Sequence, residues 1–313
     1  MGVPEIAGFI PTESQIAQTL AVALSSYITW LMVKTIRDQN NYQAKKRNNK
    51  KDGDSEPPKS FEDIGGCSGA KKAIKEIIDF IRSPEKYKSL GITMPKGILL
   101  HGPPGTGKTL VAKAAATEAG MPVIYASGSE FVELYVGLGA KRIRDLFNQA
   151  RTLSQKHGNC MIFIDEIDAV GYSRRSSNIG GPAMGGQGNR ESETTLNQLL
   201  NEMDGFEDNK GIVVIAATNL VRNLDPALTR PGRFDHKIEI SLPSAPDRAA
   251  ILKIHLRNKA HSLEQLDISR VATLMDGFSG AEIENIVNLT ALEAVRSNEK
   301  EPKITPSVLL EKV

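Results

Sequence analysis

The chain has 313 residues, 40% of them hydrophobic and 24% charged, with a formal net charge of +2. This is enough for one or two globular domains plus a tail, and the charge balance favours no particular class of partner. The two cysteines, Cys67 and Cys160, have neither ligand spacing nor a disulfide framework, so both are expected to be buried, reduced thiols, which suits a reducing compartment.

Ser14 to Val33 carries no charge, and a run of about twenty such residues just spans a bilayer. At 100° per residue, Gln15, Gln18, Thr19, Ser25, Ser26 and Thr29 fall within one arc of about 120°. The reading is a transmembrane helix over 16–33 with a polar seam toward other helices of an oligomer. The alternative is an amphipathic interfacial or partner-binding helix. No Lys or Arg precedes the stretch, so it makes a poor signal or transit peptide. Lys34, Arg37, Lys45, Lys46, Arg47, Lys50 and Lys51 follow and place its C-terminal side in the cytoplasm or an equivalent compartment. Residues 34–60 read as a basic, flexible linker, a solvated tether rather than a nucleic-acid site.

The globular part begins near Phe61. Ala70 to Arg82 repeats apolar residues at helical spacing, with Ile74, Ile77, Ile78 and Ile81 on one face. The apolar run Gly97-Ile98-Leu99-Leu100 leads into Gly102-Pro103-Pro104-Gly105-Thr106-Gly107-Lys108-Thr109, and a helical pattern runs from Leu110 to Ala119. Strand, Gly-rich loop and helix in this order form a Walker A motif, whose loop N–H groups and helix N-terminus face phosphate oxygens. Lys108 would reach the β- and γ-phosphates of a nucleotide and the Thr109 hydroxyl would hold Mg²⁺. The nucleotide-binding run is taken as Gly102 through Leu110. The alternative for these residues is an ordinary Gly-Pro turn before a helix.

Val123-Ile124-Tyr125 reads as a strand and Lys141 to Arg151 as a helix. Met161-Ile162-Phe163-Ile164 reads as a fully buried parallel strand ending in Asp165-Glu166. Ligands bind at such strand ends in open α/β sheets. Asp165 fits support of Mg²⁺, and Glu166 is placed to orient and activate a water. An exposed strand-end acid pair is the bland alternative, set against the cost of burying two adjacent carboxylates. A Gly-bearing loop lies between Gly171 and Gly188, long enough to be functional or mobile. Ile212 to Ala217 is another buried strand, followed by Thr218-Asn219. Strands alternating with helices indicate a parallel wound sheet. From Asp247 the pattern is helical only. Ser279 and Glu282 form a capping box at the start of a helix carrying Ile283, Ile286, Val287 and Thr290. Thr305-Pro306 opens a last helix with no Gly or Asn stop signal before Val313, so the intact protein is expected to continue or its gene to have been read short.

These motifs resemble those of the AAA+ ATPases and, within them, the FtsH family of membrane-bound ATP-dependent metalloproteases. The similarity runs from about Phe61 to the end. The stretches Phe131 to Phe147, Leu196 to Phe206 and Gly277 to Ala281 are especially similar to the mitochondrial i-AAA branch. The resemblance implies that Ile64 and Gly66 contact adenine and that Asn219 acts as the sensor of the γ-phosphate or attacking water. It implies that Arg230 and Arg233 are arginine fingers supplied to a neighbouring subunit, where a guanidinium neutralises charge on the transferring phosphoryl group. Asp204 and Phe206, with Gly205 between them, match an intersubunit signalling segment, and Tyr135 an aromatic pore loop that grips polypeptide. Surface salt bridging and a core tyrosine are the bland alternatives for the arginines and for Tyr135. Two departures stand out: Leu289 occupies a position where the family commonly has an acidic residue, and none of the five histidines lies in His-Glu-x-x-His, so this chain lacks that motif's zinc ligands.

The expected architecture is an N-terminal segment over 1–33, a linker over 34–60, an α/β ATPase domain over 61–245 and a small helical domain over 246–313. The expected work is ATP hydrolysis with Mg²⁺ by a homo- or hetero-hexamer, anchored by one pass in an organellar (mitochondrial or plastid) or bacterial inner membrane. It would unfold polypeptides in quality control, with no nucleic acid involved. Two alternatives stay open: the ATPase part of a complete zinc protease, and a membrane scaffold that binds ATP without turnover.

Overall fold

The computed structural model describes residues 60–83, 86–87, 89–91, 96–132, 137–171, 188–205, 211–296 and 303–313, with backbone alone for 188–190. The uncharged stretch Ser14–Val33, the basic linker up to residue 59 and most of the Gly-bearing loop lie outside these residues. Among the described residues no helix is long and apolar enough to cross a membrane.

Ordered along the chain, the described elements are α1 (Ser68–Arg82), β1 (Gly97–His101), α2 (Lys108–Ala119), β2 (Val123–Ser127), α3 (Leu138–His157), β3 (Cys160–Asp165), α4 (Gly188–Asp204), β4 (Ile212–Thr218) and β5 (His236–Glu239). They continue with α5 (Ala245–Leu256), α6 (Gln265–Leu274), α7 (Gly280–Arg296) and α8 (Pro306–Lys312). The strands form one five-stranded sheet in the order β2-β3-β4-β1-β5, and every pairing is parallel.

Alternate residues of the central strands β1, β3 and β4 feed two separate cores. Leu99, Ile162, Ile164, Val214 and Ala216 pack with α3 and α4 residues such as Ile143, Phe147 and Leu199. Ile98, Leu100, Met161, Phe163, Val213 and Ile215 pack with α1 and α2 through Ile74, Ile78, Val111 and Ala115. Both faces being covered, the central strands read as unbroken apolar runs, which is why they were legible without period-2 alternation.

The helix expected over Lys141–Arg151 is longer at both ends. Its N-cap is Gly137, and it stops where Gly158 turns and donates its N–H to the Ser154 carbonyl at 2.8 Å. The C-terminal helices enclose a third core around Leu252, Leu256, Val271, Ile283 and Leu309. This region is not purely helical, in contrast to the sequence expectation. Ile304, 1% exposed, forms an isolated bridge with His261. It donates to the Ala260 carbonyl at 2.9 Å and accepts from the Ser262 N–H at 3.0 Å. Short extended segments satisfy the backbone there while delivering an apolar side chain to the core. A Ser244–Asp247 capping box opens α5 at Ala245, so the expected boundary at 245/246 cuts into the first turn of that helix.

Candidate nucleotide site

The site lies at the C-terminal ends of β1, β3 and β4. Strand β1 ends at His101, and the loop that follows turns through Gly102 (φ 152°), Gly105 (φ 73°) and Gly107 (φ 92°) into α2. Thr106 is buried and its hydroxyl donates to the Pro103 carbonyl at 2.9 Å, closing the loop. Pro103, Pro104 and Gly105 sit at its rim, and Leu110 is half-buried one turn into α2. Lys108 is buried, and its Nζ donates to the carbonyl oxygens of Gly102 at 2.9 Å and Pro103 at 2.6 Å. Burial pushes the Lys108 pKa down, an effect that Asp165 and Asp168 partly offset.

The Thr109 hydroxyl donates to Asp165 Oδ2 at 2.7 Å, joining the two motifs across β1 and β3. A hydroxyl and a carboxylate side by side are oxygen donors suited to a small hard cation such as Mg²⁺. Asp165 is half-buried, whereas Glu166 is exposed. The burial-cost argument therefore applies to Asp165 alone. Glu166 takes a left-handed conformation, φ 52°, which is costly for a residue with a Cβ. Its N–H bonds Asp165 Oδ1 at 3.0 Å, and its carbonyl accepts from Ala169 N–H at 3.0 Å. Asn219 is exposed directly after β4.

Ile64 is buried, and Gly66 (φ 72°) precedes Cys67, itself left-handed at φ 55°. A cavity of about 160 Å³ lies here, lined by Cys67, Thr106, Ile240, Asp247, Ile251 and Gly280 among others. Residues of α5 and the first residue of α7 thus help to wall it, which no sequence motif indicated. Cys67 is half-buried rather than buried, and burial raises its pKa; Cys160 is fully buried, its thiol pushed up to about 11.

The two arginines stand apart from the phosphate loop. Arg230, Arg233 and Asp225 line a second cavity of about 380 Å³ with Leu196, Asn197 and Leu200 of α4, and no residue of the phosphate loop lines it. Arg230 is exposed. Arg233 grips Asp204 bidentately, with Nε to Oδ1 at 2.9 Å and Nη2 to Oδ2 at 2.6 Å, and donates Nη1 to the Ala227 carbonyl at 2.6 Å. The structure therefore joins two residues that the sequence assigned to separate intersubunit roles. Arg233 holds the Asp204 carboxyl below the usual range. Tyr135 and Phe206 lie outside the described residues.

A family model for the "ATPase family associated with various cellular activities (AAA)" matches residues 98–242, and one for the "AAA+ lid domain" matches 265–311. Together they cover more than half of the chain. The chain belongs to the AAA ATPases. Its AAA module binds ATP and hydrolyses it to ADP and phosphate. The relatives it is similar to include proteins named "ATP-dependent zinc metalloprotease FtsH". That of Acidothermus cellulolyticus is 51% identical over 245 residues, 78% of this chain and 35% of the relative. Those of Bacillus subtilis and Haemophilus influenzae are each 51% identical over 77% of this chain and 36% of the relative. The chain thus spans about a third of the length of these relatives, and the similarity falls on the AAA module.

Proposed function

We propose that this AAA module drives the unfolding and threading of polypeptides, as one subunit of a homo- or hetero-hexameric ring tethered to a membrane. The observation that carries the catalytic reading is the 2.7 Å contact between the Thr109 hydroxyl and Asp165. It joins phosphate loop and acidic strand end in one site, with Lys108 over the loop and Glu166 beside it.

In this reading Lys108 and the loop N–H groups bind the phosphates, and Ile64 and Gly66 border the adenine. Thr109 and Asp165 would hold Mg²⁺, which would supply charge neutralisation for the phosphates. Glu166 orients the attacking water and takes up its proton, and Asn219 faces the γ-phosphate. Arg230 and Arg233 serve the neighbouring subunit's nucleotide, Asp204 and Phe206 transmit its state, and Tyr135 grips substrate. The uncharged stretch over 16–33 anchors the ring, and carbonate extraction tests that anchor.

Lys108→Ala is expected to abolish nucleotide binding, because the phosphates lose their main point charge. Glu166→Gln is expected to keep ATP bound in an assembled ring while turnover stops. Nucleotide binding and phosphate release, measured on both variants, check this. Near-normal turnover in Glu166→Gln would overturn the assignment of the water-activating group.

A second reading is that the module is the ATPase part of a complete zinc protease. The 51% identity to proteins of that name favours it. Transcript sequence past Val313 would show whether His-Glu-x-x-His follows.

A further inference from the structure

Thr218 is the last residue of β4 and is 1% exposed. In the sheet it stands opposite His101, the residue that leads into the phosphate loop. Its hydroxyl makes two hydrogen bonds. Oγ1 donates to Asp168 Oδ1 at 2.7 Å and accepts from the Leu220 N–H at 2.9 Å. The second bond closes a turn of the Ser/Thr type around Asn219, the residue between them. The first reaches the 3₁₀ turn Ile167–Ala169, which begins one residue after Glu166. A buried hydroxyl satisfied on both sides has a fixed rotor. The same turn holds Glu166 in its left-handed conformation through the Ala169 N–H bond to its carbonyl.

We infer that Asp168 and Thr218 are positioning residues: their hydrogen bond locks the β3 end carrying Glu166 to the β4 end carrying Asn219. The group facing the water and the group facing the γ-phosphate then move as one body. This rests on the roles of Glu166 and Asn219 proposed above. The competing explanation for Asp168 is electrostatic, because its charge also bears on Lys108. Geometry and charge separate cleanly by substitution: Asn at 168 keeps an oxygen acceptor and drops the charge, whereas Ala drops both. At 218, Val keeps the shape and loses the hydroxyl, whereas Ser keeps the hydroxyl.

The experiment measures kcat, KM for ATP, nucleotide affinity and thermal melting on the full assembled chain. Thr218→Val and Asp168→Ala are expected to lower kcat by about 10–100-fold, the scale of a small misplacement of reacting groups, with nucleotide affinity changed by less than about threefold. Thr218→Ser and Asp168→Asn should recover most of kcat. On an Asn219→Ala background, Thr218→Val should cost less than it does in the wild type, because the part of its effect that acts through Asn219 is already lost while the part that acts through Glu166 remains.

Several results would overturn the inference: Thr218→Val with normal kcat beside an impaired Asn219→Ala, full additivity of the two, or Asp168→Asn as damaging as Asp168→Ala. Loss of melting temperature with kcat per folded ring unchanged would do the same. Normal kcat in Asn219→Ala would overturn the proposed role of Asn219, and this inference with it. If Thr218→Val fails to fold, the comparison of Asp168→Asn with Asp168→Ala and with Thr218→Ser decides the matter alone.

Discussion

A Cβ on Gly102 would sit 2.0 Å from the carbonyl oxygen of Ile240, whereas a Cβ on Gly107 would meet nothing within 4 Å. Both glycines have positive φ, but they answer to different constraints. Gly102→Ala would force the phosphate loop away from the backbone after β5, and overpacking of that kind costs about 1–3 kcal/mol on top of the backbone strain. Gly107→Ala would carry the left-handed penalty alone, about 1–2 kcal/mol. Gly102→Ala is therefore expected to melt lower than Gly107→Ala and to lose more nucleotide affinity; thermal melting and nucleotide titration of the two variants check the order. The Gly spacing was legible in the sequence because the motif is local. The reason for each glycine was not, because Ile240 reaches the loop from a distant part of the chain. Asp168 was missed for a related reason. It stands three residues after Asp165, but only the fold puts Thr218 against it.

Among the elements, the buried strands were the most legible, since apolar runs bounded by motif residues leave few alternatives. The helix ends were less so: α3 runs beyond its expected limits because Gly137 and Gly158, rather than the apolar periodicity, set its ends. The capping box of α7 was read correctly. The Ser279 N–H and hydroxyl both donate to Glu282 Oε2 at 2.7 Å, and these bonds lower the Glu282 pKa, the backbone one foremost. What the sequence did not show is where this helix start docks. The Ala281 N–H donates to the Gly105 carbonyl at 3.1 Å, so the helical domain touches the phosphate loop directly. Ser279→Ala is expected to cost about 1 kcal/mol, as other lost caps do, and to weaken nucleotide binding through the loosened contact. Ser279→Asn, which preserves a capping oxygen, should restore stability but crowd Gly105. Equal nucleotide affinity in wild type and Ser279→Ala would mean that the contact does not support the loop.

At the scale of the whole molecule, the proposed service of a neighbouring site can be divided between two arginines. The resemblance treats Arg230 and Arg233 alike, but the structure does not. Arg230 is exposed, while Arg233 donates to Asp204 twice and to Ala227 once within its own chain. Arg230→Ala is therefore expected to leave stability within about 0.5 kcal/mol, as for other surface changes, and to lower turnover with ATP still bound. Arg233→Ala should lower turnover and also cost about 1–2 kcal/mol, the worth of a few hydrogen bonds at a partly exposed site. The stability part has a pH signature. Arg233 depresses the Asp204 pKa, so the pair's contribution is fully present above the ordinary carboxylate range. It is lost as pH falls through the lowered pKa, and wild type and Arg233→Ala should converge in acid. If either arginine acts across subunits, mixing its Ala variant with Glu166→Gln subunits should restore some turnover. Junctions would form in which a wild-type arginine meets a wild-type Glu166. Restoration for Arg230→Ala alone would assign Arg233 to the internal pair, and restoration for neither would remove both from the shared site.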